Sequence, residues 1–167
     1  MSRYGLLLLF LVCILLLSCV HSSPSGDAKI ANVAVWDLEN LTPSINHQPD
    51  LGELLSVSII KCLQKQEDIN VIEREKIIQI MEELKIGSSE LAAQETRLKL
   101  GQLVGAKYMV FGGYQQVGDL VRLDLRLVEV ETGRIINTAQ KIISNSADFN
   151  VWLDASCQLA LELFKSY

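Results

Sequence analysis

From Val121 to Leu127 the chain alternates strictly, with Val121, Leu123, Leu125 and Leu127 apolar and Arg122, Asp124 and Arg126 charged between them. A period of two sends the apolar set to one side of a strand and the charges to the other. The segment therefore predicts an antiparallel strand covered on one face only. Gly118 and Asp119 predict a tight turn before it, and Thr132 and Gly133 another after it, so Tyr108 to Ile143 reads as a three-stranded meander. The alternation slips at Val128, Glu129 and Val130, which marks a bulge.

Upstream the period changes repeatedly. KIANVAVWDL, Lys29 to Leu38, is rich in β-branched residues and predicts a central strand ending near Asp37. From Asp50, a cap candidate, the residues Leu51, Leu54, Leu55, Ile59 and Cys62 fall on one face of a helix ending near Lys65. Ile69 to Ile72 is a short strand. Glu73, Arg74 and Glu75 then open a second helix, whose apolar face carries Ile77, Ile80, Met81 and Leu84 and which Gly87 is placed to end. After a new cap at Ser88 and Ser89, Leu91 to Val104 reads as one further helix closed by Gly105. Phe149, Trp152, Leu153, Ser156, Ala160, Leu163 and Phe164 keep helical spacing to the end of the chain, giving a helix to cover the sheet. The order β-α-β-α-α-β-β-β-α predicts an α/β sandwich of two or three layers around a mixed sheet of about five strands.

The amino terminus is of another kind. Arg3 is the only charge before 12 consecutive apolar residues, Leu6 to Leu17, a length that suits an export signal and falls short of a bilayer-spanning helix. Leu16, Leu17, Ser18 and Cys19 resemble the lipobox of bacterial lipoproteins, which implies cleavage before Cys19 and acylation of that cysteine. Leu17 is bulkier than the lipobox usually carries; an ordinary cleavable signal with Cys19 incidental, or an uncleaved anchor, are the competing readings. By the same resemblance, Val20 in place of an acidic residue implies retention at the outer membrane. The predicted organisation is a signal over residues 1–18, a tether over 19–28 and one domain over 29–167.

Removing the signal leaves 149 residues with 14 basic and 20 acidic side chains, a net charge of −6, and the bases form no stripe. Phosphate backbones need clustered positive charge, so nucleic acid is not an expected ligand. Cys62 and Cys157 both fall in predicted helices. In an oxidising compartment they pair only if their Cα atoms come within disulfide reach, and each is read in preference as a small buried apolar residue.

Catalytic parts are scarce. The two histidines, His21 and His47, lie in the tether and a loop, so a Ser or Cys nucleophile has no core base. Asp37, Glu39, His47 and Asp50 are scattered acidic and loop positions that read as solvated, and no metal or other cofactor is expected. No glycine pattern matches a phosphate cradle. Arg122, Asp124 and Arg126 form a candidate protein-contact face, with Gln115 or Lys141 as cross-strand partners, although a plainly solvated sheet face is the simpler reading. Trp36 and Trp152 are read as core residues rather than interface anchors.

VAVWDLEN, then INVIEREKIIQIMEELKIG, then KLGQLVGAKYMVFGGYQQVGDLVRLDLRLVEVETGRI resemble, in order and across the domain, the CsgG family of curli secretion-channel lipoproteins and their relatives such as the LpoB activators. Within that set Glu73, Arg74, Gly105 and Gly133 fall in motif segments and imply structural roles. The resemblance implies a non-enzymatic lipoprotein on the periplasmic face of the outer membrane, acting in assembly or transport through an envelope protein partner, with self-association left open. An LpoB-like regulator of a membrane-bound peptidoglycan synthase is the alternative. The curli channel carries long membrane-spanning hairpins in the first meander turn and after the third strand. Here Gln116 to Leu120 and Ile143 to Phe149 are too short for strands of about 9 to 11 residues.

Overall fold

The computed structural model describes residues 30–42, 51–87, 89–144 and 148–165. Its strands are β1 (Ile30–Val35), β2 (Glu39–Asn40), β3 (Ile69–Val71), β4 (Tyr108–Val117), β5 (Leu120–Glu129) and β6 (Ile135–Ser144). Its helices are α1 (Gly52–Leu63), α2 (Arg74–Glu83), α3 (Gln94–Leu103) and α4 (Phe149–Phe164). They build one six-stranded mixed sheet in the order β3-β1-β4-β5-β6, with β2 pairing β4 beyond the end of β1. β1 runs parallel to β3 and β4, whereas β4, β5 and β6 form the expected antiparallel meander. The sixth strand is β2, which pairs Glu39 with Gly113 and Asn40 with Tyr114.

Both sheet faces carry a core. On one, Leu55, Ile59 and Leu63 of α1 and Trp152, Leu159 and Leu163 of α4 pack on Val33, Val35, Val110, Leu123 and Leu125. On the other, Ile77 of α2 and Val104 after α3 pack with Ala34, Met109, Phe111 and Val128. The α1 contact is pinned by a buried hydroxyl: Ser56 Oγ accepts from the Leu38 amide at 2.9 Å and donates to the carbonyl of Gly52 in its own helix. Tyr114 Oη accepts from the Leu51 amide at 3.0 Å and so fixes where α1 begins. The helix pair α2–α3 packs toward β1, β4 and the Val128 end of β5, and among the described residues the rest of the outward side of β5 and β6 stays open. The meander is therefore one-sided, as the alternation of β5 requires.

Several local expectations are corrected. Leu54 is half exposed, and the buried face of α1 is completed by Ile60 and Leu63 instead. α2 stops at Glu83, four residues before Gly87. Lys85 takes the left-handed conformation at φ 53°, and the Ile86 amide reaches back to the Met81 carbonyl at 3.1 Å. Polar backbone groups at a helix end need partners, and this motif supplies them without a glycine. The segment expected as one helix from Leu91 is a 3₁₀ turn over Glu90–Ala92 and then α3, broken at Ala93, whose backbone is extended. Gly105 does close α3 in the left-handed conformation, φ 76°. The β5 slip appears as a register shift between Leu127 and Val128. The caps expected at Asp50 and Ser88 lie outside the described residues, and Ser89, which precedes the 3₁₀ turn, makes no side-chain capping bond.

Cys62 and Cys157 are bonded, with Cα atoms 5.6 Å apart, which corrects their reading as separate apolar residues. α1 and α4 lie side by side on one sheet face, and that packing brings together two cysteines 95 positions apart in sequence.

Candidate protein-contact face

The charged row of β5 lies on the open side of the meander. Arg122 donates to Asp124 Oδ1 from Nε at 3.0 Å and from Nη2 at 2.7 Å, and Nη2 also donates to Gln140 Oε1 on β6 at 3.0 Å. Hydrogen bonding to Asp124 raises the Arg122 guanidinium above its ordinary pKa, with the charge of Asp124 acting in the same direction. The expected partner Gln115 lies opposite Arg122 in register, but the hydrogen bond goes to Gln140. Lys141 pairs with Leu123, so it faces α4, where Nζ donates to Gln158 Oε1 at 2.5 Å; it is no partner of the row.

Arg126 stacks over the buried Phe111 ring, 5.7 Å from its centroid. Between these two arginines the sheet is bare at Gly113, and Leu41 lies across the gap: a β-carbon at Gly113 would come within 2.7 Å of Leu41 Cδ1. The result is an open groove of about 520 Å³ lined by Glu39, Leu41, Gly113, Asp124, Arg126 and Gln140, among others. Glu39 is held from behind by Arg97, whose guanidinium also lies 5.7 Å from the Trp36 ring centroid.

A second cluster sits at the end of β1. Arg74 grips Asp37 with two hydrogen bonds, Nε to Oδ1 at 3.1 Å and Nη2 to Oδ2 at 2.7 Å, and Glu53 of α1 stands 3.5 Å away. The bond to Asp37 is the main cause raising the Arg74 pKa, against the opposing effect of burial. One side chain thus ties the starts of α1 and α2 to the end of β1. Glu73 occupies the cap position of α2, but its side chain makes no capping bond. Gly133 closes the β5–β6 turn at φ 68°, its amide donating to the Glu129 carbonyl at 2.9 Å. Trp152 is buried against Phe149 and Trp36 is partly buried, in keeping with core roles.

Phe111, Arg97 and Leu41 carry no local sign of membership in this face, because each arrives from a different element. The only signal available was the polar set Thr138 and Gln140 at alternate positions of β6. Asp37 and Glu39 are each engaged by an arginine, His47, Asp50 and Cys19 lie outside the described residues, and among the described residues no three His, Cys, Asp or Glu side chains gather. What the face offers chemically is an exposed array of donors, acceptors and aliphatic surface on a rigid sheet.

No curated protein sequence matches the chain. Among solved structures, the LpoB C-terminal domain from Salmonella enterica is 16% identical with a TM-score of 0.58, covering 71% of this chain and 86% of its own. Lipoprotein GNA1162 from Neisseria meningitidis is 15% identical with a TM-score of 0.58, covering 81% and 98%. A PelC dodecamer from Paraburkholderia phytofirmans is 14% identical with a TM-score of 0.50, covering 82% and 87%. These likenesses establish the fold. The family model described as curli production assembly/transport component CsgG matches residues 18–118, from the lipobox-like segment to the first meander turn, and by that match over more than half of its length the chain belongs to the CsgG family.

Proposed function

We propose that the protein is a bacterial envelope lipoprotein, anchored through Cys19 after removal of residues 1–18, whose domain faces the periplasm and acts by protein contact rather than catalysis. Its role on this reading is that of a CsgG-like accessory or structural subunit in assembly or transport at the outer membrane. The observation that carries the reading is the family match beginning at Ser18, next to the lipobox-like cysteine. The Cys62–Cys157 bond adds support, because disulfides persist in exported proteins and are rare where thiols are kept reduced. The tether of residues 19–28 keeps the domain near its membrane: ten residues reach at most about 35 Å fully extended.

An LpoB-like regulator of a peptidoglycan synthase is the second reading. The two-residue turn Gly118–Asp119, which leaves no hairpin for a channel wall, fits it as well as the first reading, whereas the short tether of residues 19–28 weakens it. Both readings need the lipid anchor. In cells fed labelled palmitate, the full-length chain should take up label and sediment with outer membranes, and Cys19→Ala should lose both properties. An unlabelled chain that sediments with neither membrane would overturn the reading.

A further inference from the structure

The charges of the meander groove do not cancel. Asp124 is taken by Arg122 and Glu39 by Arg97, so both carboxylates that line the groove already hold a guanidinium. Arg126 is left over. Among the described residues it stands within ion-pair reach of no carboxylate and donates no hydrogen bond; its partner is the ring of Phe111. A cation–π contact engages a guanidinium without consuming any of its five N–H donors. Phe111 is 1% exposed and fixed in the core, so it holds Arg126 in the groove with those donors unspent.

The strand register gathers more donors around this cation. Arg126 lies between Phe111 on β4 and Thr138 on β6, and Gln140 follows one same-face step along β6, opposite Asp124. The Thr138 hydroxyl makes no hydrogen bond among the described residues. Gln140 commits Oε1 to Arg122, which leaves the protons of Nε2 to be donated. Two aliphatic side chains flank the site, Leu41 beyond β2 and Ile135 on β6, each 51% exposed.

We propose that this groove binds one carboxylate, the side chain of an aspartate or glutamate in an extended segment of the protein partner, with Arg126 as its anchor and Thr138 and Gln140 as further donors. The proposal rests on the reading that the domain acts by protein contact, and it names the chemistry that the partner must present. Charge selects the ligand. The guanidinium fork matches the two oxygens of a carboxylate. A phosphate brings a second negative charge for which the groove has no free cation, and Asp124 and Glu39 repel it. An anionic membrane surface is disfavoured on the same ground, and by the net charge of −6 that 14 basic and 20 acidic side chains leave after the signal is removed. The aliphatic flanks decide between a peptide and a free small anion. Leu41 and Ile135 can cover apolar side chains on either side of a partner's carboxylate, whereas an acetate-sized ion would leave both in water.

The test is a titration of the full-length chain, carrying isotope-labelled arginine and solubilised in non-ionic detergent, with a blocked peptide that has one glutamate between two valines. The Nε–H resonance of Arg126, identified by its loss in Arg126→Gln, should shift and saturate with a Kd of about 1 mM. The glutamine version of the peptide should bind at least about tenfold more weakly, the least that losing a hydrogen bond to a charged group costs. Followed on the valine methyl signals of the glutamate peptide, Arg126→Gln should weaken binding by a similar factor. Thr138→Glu, which keeps Arg126 and supplies a carboxylate from the adjacent strand, should do the same, with the circular dichroism of the unmodified chain. Absence of a saturable shift up to about 10 mM would overturn the carboxylate site. So would equal binding of the two peptides, equal or tighter displacement by inorganic phosphate, or an affinity unchanged in both variants. The titration needs no acylation at Cys19, so its failure and failure of the palmitate test are separate results.

Discussion

A β-carbon at Gly112 would lie 2.5 Å from the Asp124 carbonyl oxygen and 2.4 Å from Leu125 Cδ2. The first neighbour is backbone of the adjacent strand, so an alanine there forces β4 and β5 apart. Gly105 presents the opposite case: its φ of 76° strains any other residue, but nothing crowds the site. Overpacking in a rigid sheet costs about 3 kcal/mol, and a left-handed non-glycine about 1 kcal/mol. Urea unfolding of the domain should accordingly rank Gly112→Ala well below Gly105→Ala in stability, and equal losses would contradict the strand contact. Only the second glycine was legible in the sequence, because a helix end announces itself by periodicity. The need for Gly112 depends on a strand that follows it by a dozen residues and folds back over it. Arg74 is similar: its place at the head of α2 was readable, but its acceptor Asp37 lies on another element.

Among elements, those with an unbroken period were the readable ones. β5 and α4 match their patterns closely because each buries a single face, and burial is what the pattern encodes. β2 was missed since two residues carry no period, and the break at Ala93 was missed since Leu91 and Leu98 continue an apolar spacing across it. The union of α1 and α4 was invisible for a different reason: it is a tertiary relation between two helices, and only the sheet decides that they lie side by side. The Cys62–Cys157 bond across them closes a loop of 95 positions. In the chain-entropy account such a link stabilises the fold by about 3 to 5 kcal/mol. Replacing both cysteines by alanine should then lower the melting temperature by about 10 °C or more, and reductant should do the same to the unmodified domain but not to the double variant. Identical melting in both backgrounds, with and without reductant, would show that helix packing alone holds the pair.

For the whole molecule, the question is whether a member of this family can line a channel unaided. β4 and β5 are joined by Gly118 and Asp119 alone, and four residues separate Ser144 from Phe149. Every meander strand is already committed to a sheet with α1 and α4 packed on one face, and a closed transmembrane barrel requires strands with one face turned to lipid. Among the described residues, no helix is long and apolar enough to cross a membrane either. A bilayer-spanning wall would need about 9 to 11 residues per strand, inserted at just the two turns that are short here. Acylated at Cys19 as proposed, the chain reconstituted into vesicles loaded with a small fluorescent dye should therefore bind the membrane through its lipid and release no dye above the level of protein-free vesicles. Dye release that scales with protein would mean that a wall forms from some other arrangement. Retention of dye by bound protein would instead fit a domain that acts by contact rather than as a pore.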